Sequence, residues 1–182
     1  MLRGTSRRAA AAFAAVCLSL VATAAATASP TQPRATVVSL SGLEQGVLAD
    51  INAFRVANKL APLTLSAPLT AAAHEHSQQM ADQGYFQHES ADGSAFWKRL
   101  QRFYSSSPWR YWSVGENLLW SSPDVDANGA LQMWLNSPEH KANLLTARWR
   151  EIGVSAVHVA AAPGTFHGLD VTIVTTDFGV RR

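Results

Sequence analysis

Three residues of this chain have the side chains and the local setting to do chemistry: His88, Glu116 and His140. Imidazole and carboxylate together can bind a divalent cation or exchange protons as an acid–base pair. The sequence has no His-Glu-x-x-His, no Gly-x-Ser-x-Gly and no phosphate-binding glycine loop, and its one cysteine, Cys17, lies near the start. The common catalytic signatures are therefore absent, and these three residues form the candidate site.

His140 lies where one predicted helix ends and the next begins. The residue before a proline avoids helical backbone angles, so the helix that carries Trp134 should end near Ser137. Ser137 is a good N-cap and Pro138 suits the first helical position, which places His140 in the first turn. The helix dipole there favours neutral imidazole, the form that a metal ligand or a general base needs. The alternative is a structural histidine satisfied by backbone groups.

The segments around His88 and Glu116 predict different settings: a loop for His88, and a position beside a partner side chain for Glu116. His88 follows a predicted helix that Gly84 ends, in a loop of the kind that often carries functional side chains. Glu116 interrupts two apolar runs, at Val114 and at residues 118–120. Because burying an unpaired carboxylate is costly, we expect Glu116 to have a partner.

Two further histidines are predicted to have no part in the site. His74 and His76 are two residues apart on one predicted helix, so they point to different faces and cannot jointly bind a metal. His76 is in line with Leu69 and Met80, which predicts a position in the core. His74 is predicted to lie on the surface.

Three long helices and a hairpin should position these residues. Apolar spacing from Leu43 predicts a helix of about 16 residues, and Ser66-Ala-Pro68 predicts the start of a second. The third precedes Ser137. After Trp149 the apolar period becomes two, which predicts strands over 152–158 and 171–175 joined as an antiparallel hairpin. The aromatic segment 105–112 is predicted to pack over the core or to line a groove.

The first 28 residues have the pattern of a signal peptide. Arg3, Arg7 and Arg8 are followed by an apolar run over 9–21, and Ala26-Thr-Ala28 is a cleavage pattern. We expect export, with residues 29–40 as a flexible leader and 41–180 as one domain. The apolar run is short for a membrane span, no later segment is a transmembrane candidate, and Cys17 would leave with the signal.

Removal of the signal peptide changes the charge of the chain. The sequence has 15 basic and 13 acidic residues, and cleavage removes three arginines, which leaves 12 against 13. A net charge of about −1 without clustered lysine and arginine argues against nucleic acid as a partner. The mature chain has no cysteine, yet about 154 residues can bury a core without disulfides.

Short motifs along the chain resemble those of a bacterial CAP domain, the superfamily of cysteine-rich secretory, antigen 5 and pathogenesis-related 1 proteins. They run from about residue 43 to 179, and their order and spacing carry the resemblance. These motifs are Asn52-x-x-Arg55, Pro62-Leu63, Ala72-x-x-x-His76-x-x-x-Met80-Ala81, Tyr85-Phe-x-His88, Gly115-Glu-Asn117, Trp134-x-x-Ser-Pro-x-His140-x-x-Asn-Leu-Leu145, Glu151-Ile-Gly-Val154 and Phe178-Gly179.

The resemblance implies an α+β fold, a three-layer α-β-α sandwich with a central, mostly antiparallel sheet. It also implies a cleft with two histidines and two acidic residues. His88, Glu116 and His140 match three of these positions. Ser137 stands where animal and plant members have the second glutamate, and the cysteines of those members are missing.

Members of this superfamily have been connected with lipid or sterol binding, divalent-metal binding, proteolysis and protein contacts at cell surfaces. We favour a non-catalytic extracellular binding module, with a lipid, a sterol or an extracellular protein as ligand and the segment 109–112 as an apolar groove. The alternative is a peptidase-like hydrolase that uses His88, Glu116 and His140. The binding module is favoured because no nucleophile or oxyanion donor accompanies the three residues.

The resemblance and the residue types together predict one weak metal site. His88 and His140 are expected to bind a divalent cation such as zinc weakly, because structural zinc normally takes four protein ligands. Imidazole must lose its proton to coordinate, so affinity should fall as the pH drops through about 6.5, or lower if the helix start depresses the pKa of His140.

Overall fold

In a computed structural model, which describes residues 40–182, helices lie on both faces of a four-stranded sheet. The proposed signal peptide, and the leader up to residue 39, lie outside the described residues. Within residues 40–182 no helix is both long enough and apolar enough to cross a membrane. The elements, in chain order, are α1 Gly42–Ala57, β1 Thr64–Leu65, α2 Ala67–Gln83, α3 Phe96–Phe103, β2 Trp112–Ser121, α4 Ala127–Leu135, α5 Pro138–Leu144, β3 Glu151–Val159, a 3-10 turn Gly164–Phe166 and β4 Val171–Arg181.

The helix boundaries follow from capping residues that the sequence shows. Ser41 and Glu44 form a capping box at the start of α1, with the Ser41 amide donating to the Glu44 carboxylate at 2.7 Å. Gly84 ends α2 with a φ of 69°, a left-handed angle that glycine adopts without a steric penalty. Ser137 caps α5, as predicted, and its Oγ accepts from the backbone N–H of His140 at 3.5 Å.

The strand order in the sheet is β1-β3-β4-β2, with β1 parallel to β3 and the other pairs antiparallel. The predicted hairpin of β3 and β4 is confirmed, although β4 runs on to Arg181. Gly115-Glu116-Asn117 was expected to interrupt two apolar runs and instead lies in the middle of β2. The site residues of this segment are therefore held by a strand at one edge of the sheet.

Side chains on opposite faces of the sheet enter separate apolar clusters. Val174 and Phe178 of β4 pack with residues of α1 and α4, including Ile51 and Trp134. Ile173 of β4 packs in another cluster, which includes residues of α2. This alternation confirms the three-layer α-β-α sandwich with a mostly antiparallel sheet.

Gly153 allows α2 to approach β3 closely. A Cβ at Gly153 would lie 2.1 Å from the backbone carbon of Leu69 and 2.3 Å from the backbone nitrogen of Thr70. Gly153→Ala must push α2 from the sheet, and we expect it to lower the free energy of unfolding by about 1–3 kcal/mol. Urea denaturation measures the change. Gly42→Ala, whose Cβ meets nothing within 4 Å, is the control, and equal stability of the two variants would contradict this packing.

Candidate functional site

The Glu116 carboxylate is held by two side chains from other parts of the chain. Nδ1 of His88 lies 2.8 Å from Oε1 of Glu116, and the Arg99 guanidinium donates to Oε2. The side chains of Glu116 and Arg99 are almost completely buried, whereas that of His88 is 46% exposed. Glu116 therefore has the partner expected from the sequence, and it has a second one in Arg99.

Arg99 links the loop that carries His88 to the sheet. One terminal nitrogen donates to Ser90 Oγ at 3.1 Å and to the backbone oxygen of His88 at 3.3 Å, while the other pairs with Glu116. Sequence reasoning did not single out Arg99. The available signal was its position three residues after Phe96 on a short amphipathic helix, on the side that packs inward.

Two asparagines fasten α5, and with it His140, to β2. The Asn143 side-chain amide donates to Asn117 Oδ1 at 2.9 Å and to the backbone oxygen of Glu116 at 3.2 Å. The Asn117 amide in turn donates to the backbone oxygen of His140 at 3.1 Å. His140 is thereby fixed beside the strand that carries Glu116.

The three predicted residues line one cavity of about 480 Å³. It lies along β2, between the loop after α2 and the first turn of α5. The ring of Phe96, 6.3 Å from that of His88 between centroids, forms an apolar part of the wall. The complete lining is His88, Glu89, Phe96, Gly115, Glu116, Asn117, Glu139, His140 and Asn143.

A second, more apolar cavity of about 290 Å³ follows the same strand. His140 lines both cavities. The walls of the second cavity are Phe86, Leu118, Leu119, Trp120, Met133, Trp134, Ser137 and His140. Together the cavities offer a polar end at His88 and an apolar end at Trp120 and Met133.

The surroundings shift the pKa values of the two histidines in opposite directions. The hydrogen bond to Glu116 raises the pKa of His88 above its ordinary value, against the effect of partial burial. Burial lowers the pKa of His140, and the nearby His88 lowers it further. The direction for His140 agrees with the sequence prediction, although burial of the ring is the main cause.

Glu116 remains ionised despite its burial. Desolvation by itself would raise its pKa, but the hydrogen bond from His88 and the charge of Arg99 lower it below the ordinary value. The site thus consists of a buried carboxylate with a half-exposed imidazole that Glu116 orients through Nδ1. The other ring nitrogen of His88, Nε2, has no partner within residues 40–182.

A family model matches most of this chain. The model of the cysteine-rich secretory protein family, CAP, covers residues 48–174, which include His88, Glu116 and His140. The chain belongs to the CAP family. The resemblance seen in the sequence motifs is thereby confirmed.

Curated relatives of this CAP-family chain are similar over part of their length. The uncharacterized protein YkwD of Bacillus subtilis (strain 168) is 30% identical over 119 residues, which are 65% of this chain and 44% of that protein. The uncharacterized membrane protein YlbC of the same organism is 31% identical over 111 residues, 61% of this chain and 30% of that protein. The chain spans less than half the length of both relatives.

Solved structures share the CAP fold. An extracellular protein containing an SCP domain from Bacillus anthracis str. Ames has a TM-score of 0.58 at 28% identity, over 78% of this chain and 41% of that one. An outer surface protein of Borrelia burgdorferi has a TM-score of 0.56 at 21% identity, over 76% of this chain and 92% of that one. The second likeness supports the fold alone.

The other histidines of this CAP domain lie outside the cavity that contains His88. His76 is fully buried, as predicted, with Nε2 2.9 Å from the backbone oxygen of Gln87, and burial lowers its pKa to about 4. His74 is exposed on α2, also as predicted. His158 and His167 are exposed as well.

The aromatic segment before β2 does not line the cavity with His88. Trp109 and Tyr111 are exposed, and the guanidinium groups of Arg181 and Arg182 stack on their rings. Trp112 is partly buried, and its indole N–H donates to the backbone oxygen of Tyr104 at 2.8 Å. The apolar surface near the site comes from Phe86, Trp120 and Met133 instead.

The cavity offers two imidazoles, those of His88 and His140, as candidate metal ligands. In the described part of the chain, no group of three or more His, Cys, Asp or Glu residues is arranged around a common metal position. Both Glu116 oxygens are engaged by His88 and Arg99, and the Ser137 hydroxyl caps α5. His88 Nε2 and the His140 ring remain as the candidate metal ligands of the cavity.

Proposed function

We propose that this CAP domain is an exported binding module whose cleft binds a divalent cation weakly through His88 and His140. The second cavity, around Phe86, Trp120 and Met133, would receive an apolar part of the same ligand, from a lipid, a sterol or an extracellular protein. The observation that carries the proposal is that His140 lines both the polar and the apolar cavity. Pockets of this kind, apolar with a few converging polar groups, are typical of ligand sites.

The lining of the polar cavity favours binding over covalent catalysis. It contains no serine, threonine or cysteine side chain that could attack a bound substrate. Ser137 lies in the apolar cavity, but its hydroxyl oxygen accepts the cap hydrogen bond of α5. A nucleophile paired with a base, the usual requirement for acyl transfer, is therefore missing from the site.

The rings of His88 and His140 would supply the nitrogen ligands for a bound cation. Glu116 accepts from Nδ1 of His88 and so fixes the ring with Nε2 as the free donor atom, an arrangement typical of metal-binding histidines. The lowered pKa of His140 keeps that ring neutral near pH 7. A bound divalent cation would supply positive charge for oxygen atoms of a ligand.

One observation favours the second candidate, a peptidase-like hydrolase. The hydrogen bond from Nδ1 of His88 to buried Glu116 is the arrangement that orients a neutral histidine as a general base. Hydrolysis of peptide substrates that is lost in His88→Ala would support this alternative. If the wild-type protein hydrolyses no peptide and His88→Ala loses ligand binding, the binding module is supported.

Export is part of the proposal and draws on a relative. The Bacillus anthracis protein is described as extracellular. The Arg-rich start, apolar run and Ala26-Thr-Ala28 of this chain agree with the same location. Protein recovered outside the cytoplasm should begin at Ser29, and recovery of a chain that begins at Met1 would oppose export.

Zinc binding should begin to weaken at a higher pH than an ordinary histidine would suggest. The raised pKa of His88 means that its proton competes with the metal above the ordinary value of about 6.5. Titration calorimetry should show weak binding at about pH 7.5 and at least roughly tenfold weaker binding at about pH 5.5, where the His88 ring takes up its proton. The fall should begin at the pKa of His88, since that of His140 is lowered.

His140→Ala is the variant that locates the metal, and His158→Ala is its control, because His158 is exposed on β3. We expect the first to lose zinc binding and the second to keep it. Equal binding by wild type and His140→Ala would place the metal elsewhere, at His158 or His167. Absence of binding at both pH values would leave the three residues as a hydrogen-bonded structural cluster.

A further inference from the structure

Asp177 lies directly opposite Glu116, and the proposed function does not use it. The two residues are register partners of β4 and β2. Side chains of directly opposite residues in an antiparallel pair project to the same face of the sheet. On this face the hydroxyl of Thr175 contacts that of Ser77 at 2.8 Å, which places Asp177 between the sheet and α2.

The Asp177 carboxyl group is fully buried, and neither of its oxygens has a hydrogen-bond partner in the described part of the chain. An ionised carboxylate can only accept hydrogen bonds. Both terminal nitrogens of Arg99 are already engaged, one with Glu116 and the other with Ser90 and His88. Within residues 40–182, Arg99 Nε and His76 Nδ1 are buried without any partner, so neither of them donates to Asp177. An ionised Asp177 would therefore be a buried charge without donors, which is strongly unfavourable.

Among the buried groups around Asp177, the charges balance only if one carboxyl group is neutral. Arg99 from α3 faces Glu116 from β2, and these two groups already compensate each other. His76 from α2 is neutral near pH 7 because burial lowers its pKa to about 4. The β3 residue opposite Asp177 is Gly153, which has no side chain. The half-exposed His88, held by Glu116, and Tyr85, whose pKa burial raises, are further titratable groups nearby.

We propose that Asp177 is a positioning residue that carries a proton and donates it in a hydrogen bond to the Glu116 carboxylate. Glu116 then receives donors from His88, Arg99 and Asp177, and its oxygens are fixed toward the cavity. As a carboxylic acid, Asp177 has an O–H that can donate, so its burial is no longer that of an isolated charge. The proposal concerns the orientation of His88 and does not depend on whether the cleft binds a metal.

The electrostatic surroundings agree with this geometry. Burial raises the pKa of Asp177 well above its ordinary value, and the negative charge of Glu116 raises it further. Arg99 lowers it only in part. When two adjacent carboxyl groups share one proton, the pKa of one of them is strongly raised.

Infrared spectroscopy of the full mature protein tests the protonation directly. A carboxylic acid has a C=O stretching band that an ionised carboxylate lacks. At about pH 7.5, where ordinary carboxyl groups are ionised, we expect this band in the wild type and in Asp82→Asn, which alters an exposed aspartate. The band should be absent from Asp177→Asn. A wild type without the band, or a band that persists in Asp177→Asn, would overturn the proposal.

The positioning role has a separate readout at His88. The Nδ1 proton of His88, hydrogen-bonded to Glu116, can be followed by NMR together with the pKa of the ring. Asp177→Asn adds no charge and keeps an N–H donor, so both should match the wild type. Asp177→Leu removes the donor, and we expect the Nδ1 proton signal to shift or disappear.

A fall in the pKa of His88 in Asp177→Asn would overturn the proposal, because it would mean that a negative charge had been removed. An Nδ1 signal in folded Asp177→Leu identical to that of the wild type would overturn the positioning role. If Asp177→Leu does not fold, the infrared band and the Asp177→Asn comparison still decide the protonation.

Discussion

Arg99→Met is expected to lower the free energy of unfolding by about 3–5 kcal/mol near pH 7, since removal of one partner leaves a buried charge unpaired. The methionine has a similar length and is apolar, so it leaves the Glu116 carboxylate, whose side chain is almost completely buried, without its cationic partner. The variant also removes the hydrogen bonds to Ser90 and to the His88 backbone. Urea denaturation at constant pH measures the change.

The effect of Arg99→Met should shrink in acid. The folded-state pKa of Glu116 is lowered, so the stability that this group contributes is present above its unfolded value of about 4.3 and is lost as the pH falls through the folded pKa. Without Arg99, Glu116 can be protonated more easily and its burial then costs less. The difference in stability between variant and wild type should therefore be smaller near pH 4 than near pH 7.

Arg102→Met is the matched control on the same helix. The Arg102 side chain is 60% exposed and pairs with Glu75 at the surface, and an exposed pair of this kind contributes about 0–1 kcal/mol. If both variants had similarly small effects, the ion pair of Arg99 and Glu116 would not be the anchor of the site.

Trp134→Ala is expected to lower the free energy of unfolding by about 3–5 kcal/mol, the usual cost of removing a large buried ring. Trp134 is 1% exposed, packs between α4 and the sheet, and donates its indole N–H to the backbone oxygen of Leu118 at 3.1 Å. Removal leaves both a cavity and an unpaired carbonyl. Thermal and urea denaturation measure the loss.

Trp97→Ala controls for the loss of a tryptophan as such, because Trp97 is 42% exposed on α3. It should change stability much less than Trp134→Ala does. An unchanged midpoint for Trp134→Ala would show that this ring is not part of the core and that α4 does not pack as described.

The helices could be predicted because their signals are local. The capping serine at Ser137, the terminating glycine at Gly84 and the apolar spacing after Leu43 each act within a few residues of the chain. The same reasoning placed His76 in the core and His74 at the surface, as the structure confirms. The resemblance to the CAP family followed from the order and spacing of several short motifs, because no single motif identifies the family.

The strand β2 could not be predicted from apolar alternation because its middle is Gly115-Glu116-Asn117. These groups are tolerated in the strand only because distant residues satisfy them: Arg99 and His88 pair with the Glu116 carboxylate, and Asn143 contacts Asn117. The apolar period of a segment does not reveal contacts with residues that are distant in the sequence. The sequence therefore indicated that Glu116 needs a partner without identifying Arg99.

Asp177 was missed for a related reason. It lies beyond the predicted end of the second hairpin strand, although β4 continues to Arg181 with both faces buried. A strand covered on both faces loses the alternation of apolar and polar residues that marks a half-exposed strand. Only the register that pairs Asp177 with Glu116 reveals that two carboxyl groups share one site.

The central claim, that His88 and His140 form one metal-binding cleft, is tested most directly by NMR of the imidazole rings during a zinc titration at about pH 7.5. The chain has six histidines, whose ring signals can be assigned by single substitutions. We predict that the signals of His88 and His140 shift together and reach saturation, while those of His74, His76, His158 and His167 stay in place. Shifts at His158 or His167 with unchanged His88 and His140 signals would contradict the claim.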